Sequence, residues 1–88
     1  MQISIEISLY PLAEDKFKAE IWSFIRTLRH VDGLKVVTNG MSTQVFGEYD
    51  LTVATVMKEI KQVHETIGSA VFVCKFISGD RSVPEAEI

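Results

Sequence analysis

Hydrophobic and polar residues alternate strictly from residue 2 to residue 10. One side of this alternation carries Ile3, Ile5, Ile7 and Leu9, and the other carries Gln2, Ser4, Glu6, Ser8 and Tyr10. A period of two is typical of a strand that is buried on one face. Pro11 follows and is expected to end the strand, because proline has no N–H to donate to a ladder.

Two later segments repeat their apolar residues at helical spacing. In residues 13–31 the repeating positions are Phe17, Ile21, Phe24, Ile25 and Leu28. In the second segment they are Leu51, Ala54, Val56, Met57, Ile60, Val63 and Ile67. Asp50 is the predicted N-cap of the second helix and Gly68 its end. Glu48 and Asp50 together suit a hard cation as well, but capping explains them better.

Three short β segments complete the pattern. Residues 34–38 are rich in β-branched side chains, and Asn39 and Gly40 then form the dipeptide favoured in two-residue type I′ hairpins. That turn would place Thr38 opposite Met41 on the returning strand. Residues 70–78 are predicted to form the last strand. Its helix-facing side would carry Phe72, Cys74 and Phe76, and its other side Val71, Val73, Lys75 and Ile77.

The predicted order is βαββαβ, which is the ferredoxin-like arrangement of the α+β class. It has a four-stranded antiparallel sheet, with the first and third strands at the centre and both helices on one face. We expect one domain over residues 1–78, followed by a polar C-terminal tail over residues 79–88.

The composition is typical of a globular domain and argues against nucleic-acid and membrane partners. The chain has 88 residues, of which 47% are hydrophobic and 24% charged, as expected of one globular domain. Nine Lys and Arg against twelve Asp and Glu give a net charge of −3, so nucleic acid is not an expected partner. A single cysteine and the lack of an apolar run of about 20 residues favour a cytoplasmic protein that does not engage membranes.

The sheet face that the helices leave open is predicted to be covered. It would bring Ser4, Glu6, Ser8 and Tyr10 beside Ser42, Gln44 and Phe46, with Val71, Val73 and Ile77 at the flank. A face that is merely solvated would be mostly charged or rich in threonine, whereas this one mixes aliphatic, aromatic and hydrogen-bonding groups. We expect a second copy of the chain to cover it, in a homodimer or homotetramer.

The sequence contains no set of residues typical of catalysis. There is no glycine-rich phosphate loop, nucleophile motif or two-histidine metal pattern. Cys74 is interpreted as a small buried hydrophobic residue, and His30 and His64 as surface residues. Trp22 falls off the apolar stripe of its helix and is interpreted as a helix edge or contact. We therefore expect no enzyme, no catalytic residue, no metal and no cofactor.

Two stretches resemble a known family. They are IEISLYPL at residues 5–12 and TNGMSTQVFGEYD at residues 38–50, and they resemble the YkoF-like proteins that bind thiamine and hydroxymethylpyrimidine. The resemblance implies ferredoxin-like repeats whose sheets pair, and ligand binding without a reaction. The familiar members carry two repeats in one chain, whereas this chain has one, so a homodimer would rebuild the two-repeat unit.

An aminopyrimidine needs a lipophilic wall, hydroxyls and a carboxylate or amide around it. We expect such a pocket at the open sheet face, and the candidate ligand-binding residues are Glu6, Ser8, Tyr10, Asn39, Met41, Ser42, Thr43 and Phe46. Glu6 would accept from the amine, the polar residues would donate or accept, and Tyr10, Met41 or Phe46 would pack on the ring. The alternative is a structural or regulatory homo-oligomeric module without a small-molecule ligand.

Overall fold

The computed structural model describes residues 1–12 and 17–83, and these form four strands and two helices. In chain order they are β1 (Gln2–Pro11), α1 (Phe17–Arg29), β2 (Lys35–Thr38), β3 (Thr43–Glu48), α2 (Tyr49–Ile67) and β4 (Ala70–Ser78). The sheet order is β2-β3-β1-β4, and all neighbours are antiparallel. The prediction of a ferredoxin-like α+β fold with β1 and β3 at its centre is confirmed.

The core lies between the helices and one face of the sheet. Its buried members from the strands are Ile3, Ile5, Ile7 and Val45, and those from the helices are Phe24, Ile25, Leu28, Val56, Ile60 and Val63. The alternation in β1 and the apolar stripe of α1 therefore correctly predict which of their side chains form the core. In the described part of the chain, neither helix is both long and apolar enough to cross a membrane.

The ends of the first strand and first helix differ slightly from the prediction. Pro11 does not end β1 but pairs with Ala70 of β4. It is tolerated there because β1 has β4 on one side only at this end, so no central ladder is interrupted. Helix α1 ends at Arg29, two residues before the predicted end, and residues 13–16 of the predicted helix lie outside the described residues.

Helix α2 buries part of the stripe that its apolar residues predict, since Val56, Ile60 and Val63 are buried and Ile67 packs against the core. Thr52 is buried with Val56, Ile60 and Val63, whereas Leu51 and Met57 are exposed. The predicted cap is also wrong, because the N-cap is Glu48 rather than Asp50. The predicted end at Gly68 is confirmed, with φ of 75° at that residue.

The hairpin between β2 and β3 has a four-residue loop, not the predicted two-residue turn. Thr38 pairs with Thr43 instead of Met41, so residues 39–42 form the loop. Neither Asn39 nor Gly40 has a positive φ, which a type I′ turn requires. The register moves by two residues, so each side chain keeps its predicted face.

On β4, Phe76 is on the helix side of the sheet, opposite Ile5, as predicted, but it is about half exposed. The reason is its place on an edge strand, where nothing flanks it on the outer side in the described part of the chain. Phe72 and Cys74, by contrast, pack against the core. Burial raises the pKa of the Cys74 thiol, which keeps it protonated at neutral pH.

Candidate functional site

A cleft of about 610 Å³ opens between α1 and the tip of the β2–β3 hairpin. It exists because the ladder between β1 and β3 ends at Ile7 and Thr43, whereas β1 continues alongside β4. In the same register, Met41 would pair with Leu9 if β3 started two residues earlier. The four-residue loop therefore leaves a gap beside β1, and this gap becomes the cleft.

The side chain of Asn39 stabilises the four-residue loop by hydrogen bonds. The Asn39 Oδ1 atom accepts from the backbone N–H of Met41 at 2.8 Å and of Ser42 at 3.2 Å. The Asn39 N–H in turn donates to the Ser42 carbonyl at 3.2 Å. An asparagine that bonds its own following backbone in this way makes a local turn without a positive φ. Asn39 is thus the residue that fixes the rim of the cleft.

The floor of the cleft carries a pair of hydroxyls. The Oγ1 atoms of Thr38 and Thr43 lie 3.0 Å apart, and either one can be the donor. One of the two hydroxyls donates its hydrogen in this bond. The other accepts, so its own hydrogen can be donated to a ligand. Thr43 is on the helix side of the sheet, opposite Ile7, and not on the open face where the candidate residues were grouped.

The walls of the cleft are apolar. Phe24 and Ile25 of α1 form its inner side, and Trp22 lines it with 47% of its surface exposed. Met41 stands at the opposite rim and is 90% exposed. Large apolar side chains left in water beside a cavity are those that a planar ligand would bury.

Nine lining residues of this cleft were not among the sequence candidates, and three of them offer a polar group or an exposed aromatic ring: Lys18, Trp22 and Thr38. The position of Trp22 off the core stripe was the available signal. A large aromatic residue that the core does not use is a candidate for contact with something else. Lys18 and Thr38 carry no comparable signal, because an exposed lysine and a strand threonine are ordinary features.

On the open face, Glu6 is bonded to two neighbours. Its Oε2 atom accepts from the Ser42 hydroxyl at 3.0 Å, and its Oε1 atom lies 3.5 Å from the Lys75 ammonium. Ser42 also lines the cleft, so it links the carboxylate on the open face to the cleft at the hairpin tip. Glu6 itself is not among the lining residues.

At the far end of the open face, the segment that follows β4 bonds to the sheet through Gly79 and Arg81. The Ser4 hydroxyl donates to the Gly79 carbonyl and accepts from the Arg81 N–H, both at 2.8 Å. Phe46, which pairs with Ser4, is only 7% exposed. A recess of about 300 Å³ remains there, lined by Ser4, Ile5, Glu6, Gln44, Phe46, Lys75, Ile77 and Arg81.

The eight candidate residues therefore do not share one surface. The cleft brings together Ser8, Asn39, Met41, Ser42 and Thr43. Glu6 and Phe46 line the recess on the open face. Tyr10 lines neither and is exposed on the open face beside Val71. Among the described residues, no group of three or more His, Cys, Asp or Glu side chains is arranged to hold a metal ion.

Solved structures with the same fold include three that align over most of this chain. A protein from Streptococcus pneumoniae has a TM-score of 0.81 at 20% identity, covering 92% of this chain and 90% of its own. A hypothetical protein from Methanocaldococcus jannaschii has 0.76 at 22%, with coverages of 98% and 89%. A Thermotoga maritima protein, provisionally described as a thiamine biosynthesis/salvage protein, has 0.74 at 18%, with coverages of 86% and 82%.

These likenesses establish the shared fold. Because both coverages are high in each pair, the matched chains have about the length of this one and contain one βαββαβ unit. A single repeat is therefore a recurring form of the fold. No protein-family model matches the sequence, and a comparison with curated proteins finds no match.

Proposed function

We propose that this protein binds thiamine or its hydroxymethylpyrimidine precursor without chemical turnover, as a carrier or sensor, and that it is a single-repeat relative of the YkoF-like proteins. The observation that carries the proposal is the cleft at the hairpin tip. It has the volume of a small-molecule site, an apolar wall and a few polar groups converging on one end. The thiamine-related description of the Thermotoga maritima protein of the same fold supports the choice of ligand.

The chemistry of an aminopyrimidine fits this cleft. The flat ring packs between Trp22 and Met41, burying two side chains that are otherwise in water. One ring nitrogen accepts from the hydroxyl hydrogen that the Thr38–Thr43 bond leaves unused, and the exocyclic amine donates toward Ser42. Glu6 positions Ser42 for this contact, since the Glu6 carboxylate accepts from the Ser42 hydroxyl.

Calorimetric titration with hydroxymethylpyrimidine and with thiamine tests the proposal. At least one of them is expected to bind with a dissociation constant below about 1 mM, equivalent to roughly −4 kcal/mol. Trp22→Ala should weaken binding by about tenfold or more, because it removes the stacking wall. Tyr49→Ala is the matched control, since Tyr49 is an exposed aromatic residue on α2 outside the cleft. Absence of heat with both compounds would refute the proposal.

A second candidate function is an assembly module whose open face joins copies of the chain without a ligand. It is favoured by the contiguous exposed side chains of Tyr10, Val71 and Val73, which we name the open-face patch. The two functions are compatible, because the cleft and the open-face patch are built from different residues. A module alone would assemble identically with and without the pyrimidine and would show no thermal shift on adding it.

A further inference from the structure

The described residues that line the cleft carry one formal charge, and this charge is positive. Among the described residues that line it, Lys18 is the only ionisable one. Its neighbours along the walls are apolar, and the remaining polar groups are hydroxyls and an amide. A charge with few competitors in a partly enclosed, largely apolar site acts more strongly than the same charge on an open surface.

Lys18 lies beside Trp22, so its charge is close to the place where the ring of a ligand would stack. The two residues are four positions apart on α1, so their side chains are neighbours on one face of the helix. A ring stacked on Trp22 would hold its substituents within reach of the flexible lysine side chain. An ammonium group there attracts an anionic substituent and repels a cationic one.

The carboxylate that accepts from the cleft residue Ser42 does not cancel this preference. Glu6 is on the open face, where it accepts from Ser42 and faces the Lys75 ammonium at 3.5 Å. Its negative charge is therefore matched on its own side of the sheet. The protein as a whole is acidic, with a net charge of −3, so an anion-attracting cleft is a local property of the Lys18 position.

We propose that the cleft selects planar nitrogen heterocycles that carry a phosphate group, with Trp22 stacking on the ring and Lys18 pairing with the phosphate. The inference rests on the proposed function and refines it. It ranks the phosphate monoester of hydroxymethylpyrimidine above the neutral pyrimidine, and it ranks thiamine, whose thiazolium is a cation, below both.

The test compares the neutral pyrimidine with its phosphate monoester by calorimetry at low ionic strength. The monoester should bind about five- to tenfold more tightly, as expected of a charge-assisted hydrogen bond at a partly exposed site. Lys18→Gln should remove that difference in affinity between the two compounds. Lys61→Gln is the matched control, because it removes an exposed positive charge from α2, away from the cleft.

The fluorescence of Trp22, the single tryptophan of the chain, reports where the compounds bind. Both should change its emission, and binding without such a change would overturn the inference. Equal affinity for the two compounds, or a preference that survives Lys18→Gln, would also overturn it while leaving the proposed function intact. Absence of binding by either compound would overturn this inference, and the proposed function would fail with it only if thiamine also does not bind.

Discussion

Gly47 is a residue at which even one methyl group has no room. A Cβ at this position would lie 2.5 Å from the Thr52 Oγ1 atom, 2.8 Å from the Gly33 carbonyl oxygen and 2.9 Å from a methyl carbon of Leu34. One of these neighbours is backbone and cannot rotate away. We expect Gly47→Ala to lower the free energy of unfolding by about 1–3 kcal/mol, as overpacking does. Urea denaturation measures this loss.

Gly40→Ala is the matched control for that substitution. A Cβ on Gly40 would meet nothing within 4 Å, and φ is not positive there. The same chemical change should therefore alter the free energy of unfolding by less than about 0.5 kcal/mol. A loss for Gly47→Ala as small as the one expected for Gly40→Ala would mean that β3 does not approach α2 this closely.

Thr52 is fully buried, and its hydroxyl has no hydrogen-bond partner among the described residues. A buried hydroxyl without a partner costs free energy that a methyl group of the same shape does not. We therefore expect Thr52→Val to raise the free energy of unfolding by about 1 kcal/mol. Thermal and urea unfolding both measure this gain.

Thr66→Val on the same helix is the control. Thr66 is exposed, and its hydroxyl donates to the Gln62 carbonyl, so this substitution should change stability by less than about 0.5 kcal/mol. A loss of stability in Thr52→Val would show that its hydroxyl is hydrogen-bonded in solution. The burial of Thr52 was not predicted, because threonine is counted as polar and the predicted stripe of α2 included only apolar residues.

At the scale of the elements, the β2–β3 hairpin shows the limit of a sequence signal. The dipeptide of Asn39 and Gly40 favours a type I′ turn, but the Asn39 side chain offers a competing solution by accepting two backbone N–H groups. The two loops differ by two residues in register and present the same faces, so the hydrophobic pattern cannot choose between them. Gly40→Ala distinguishes them, because a type I′ turn would make it costly.

The N-cap of α2 predicts that the stability of the fold depends on pH. The Leu51 N–H and then the Asp50 N–H donate to the Glu48 carboxylate, and these bonds lower its pKa below the ordinary value of 4.5. A lowered carboxyl pKa in the folded state stabilises the fold above the unfolded pKa, and this stabilisation is lost as pH falls through the folded pKa. Glu48→Gln should therefore lower the melting temperature at pH 7 and have progressively less effect below pH 4.5.

Melting curves of Glu48→Gln and Glu59→Gln across that pH range make the comparison. Glu59 is in the middle of α2, away from the unsatisfied N–H groups of the first turn, so its variant should show no matching pH-dependent loss. A difference for Glu48→Gln that stays constant down to low pH would contradict the assignment of this residue as the charged cap.

At the scale of the whole molecule, the sequence predicted which faces of the strands and helices are buried, but not where the cleft lies. Alternation in β1 and periodicity in α1 determine which side chains face the core, and the observed core agrees. The cleft depends instead on where the β1–β3 ladder stops, which follows from the loop length that the sequence pattern left undetermined. The burial of Ser4 could not be predicted either, since a serine on the open face is expected to be solvated, whereas here it is bonded to Gly79 and Arg81.

The open-face patch predicts association through the sheet. Val73 is 51% exposed and Tyr10 and Val71 pair beside it, so a second copy would bury three neighbouring side chains. Light scattering after size exclusion should show a dimer or tetramer, and Val73→Lys should shift it toward monomer by placing a charge in the interface. Met57→Lys alters an equally exposed residue on α2 and should leave the oligomer intact. A monomeric wild-type protein, or dissociation by both variants alike, would show that this face does not join subunits.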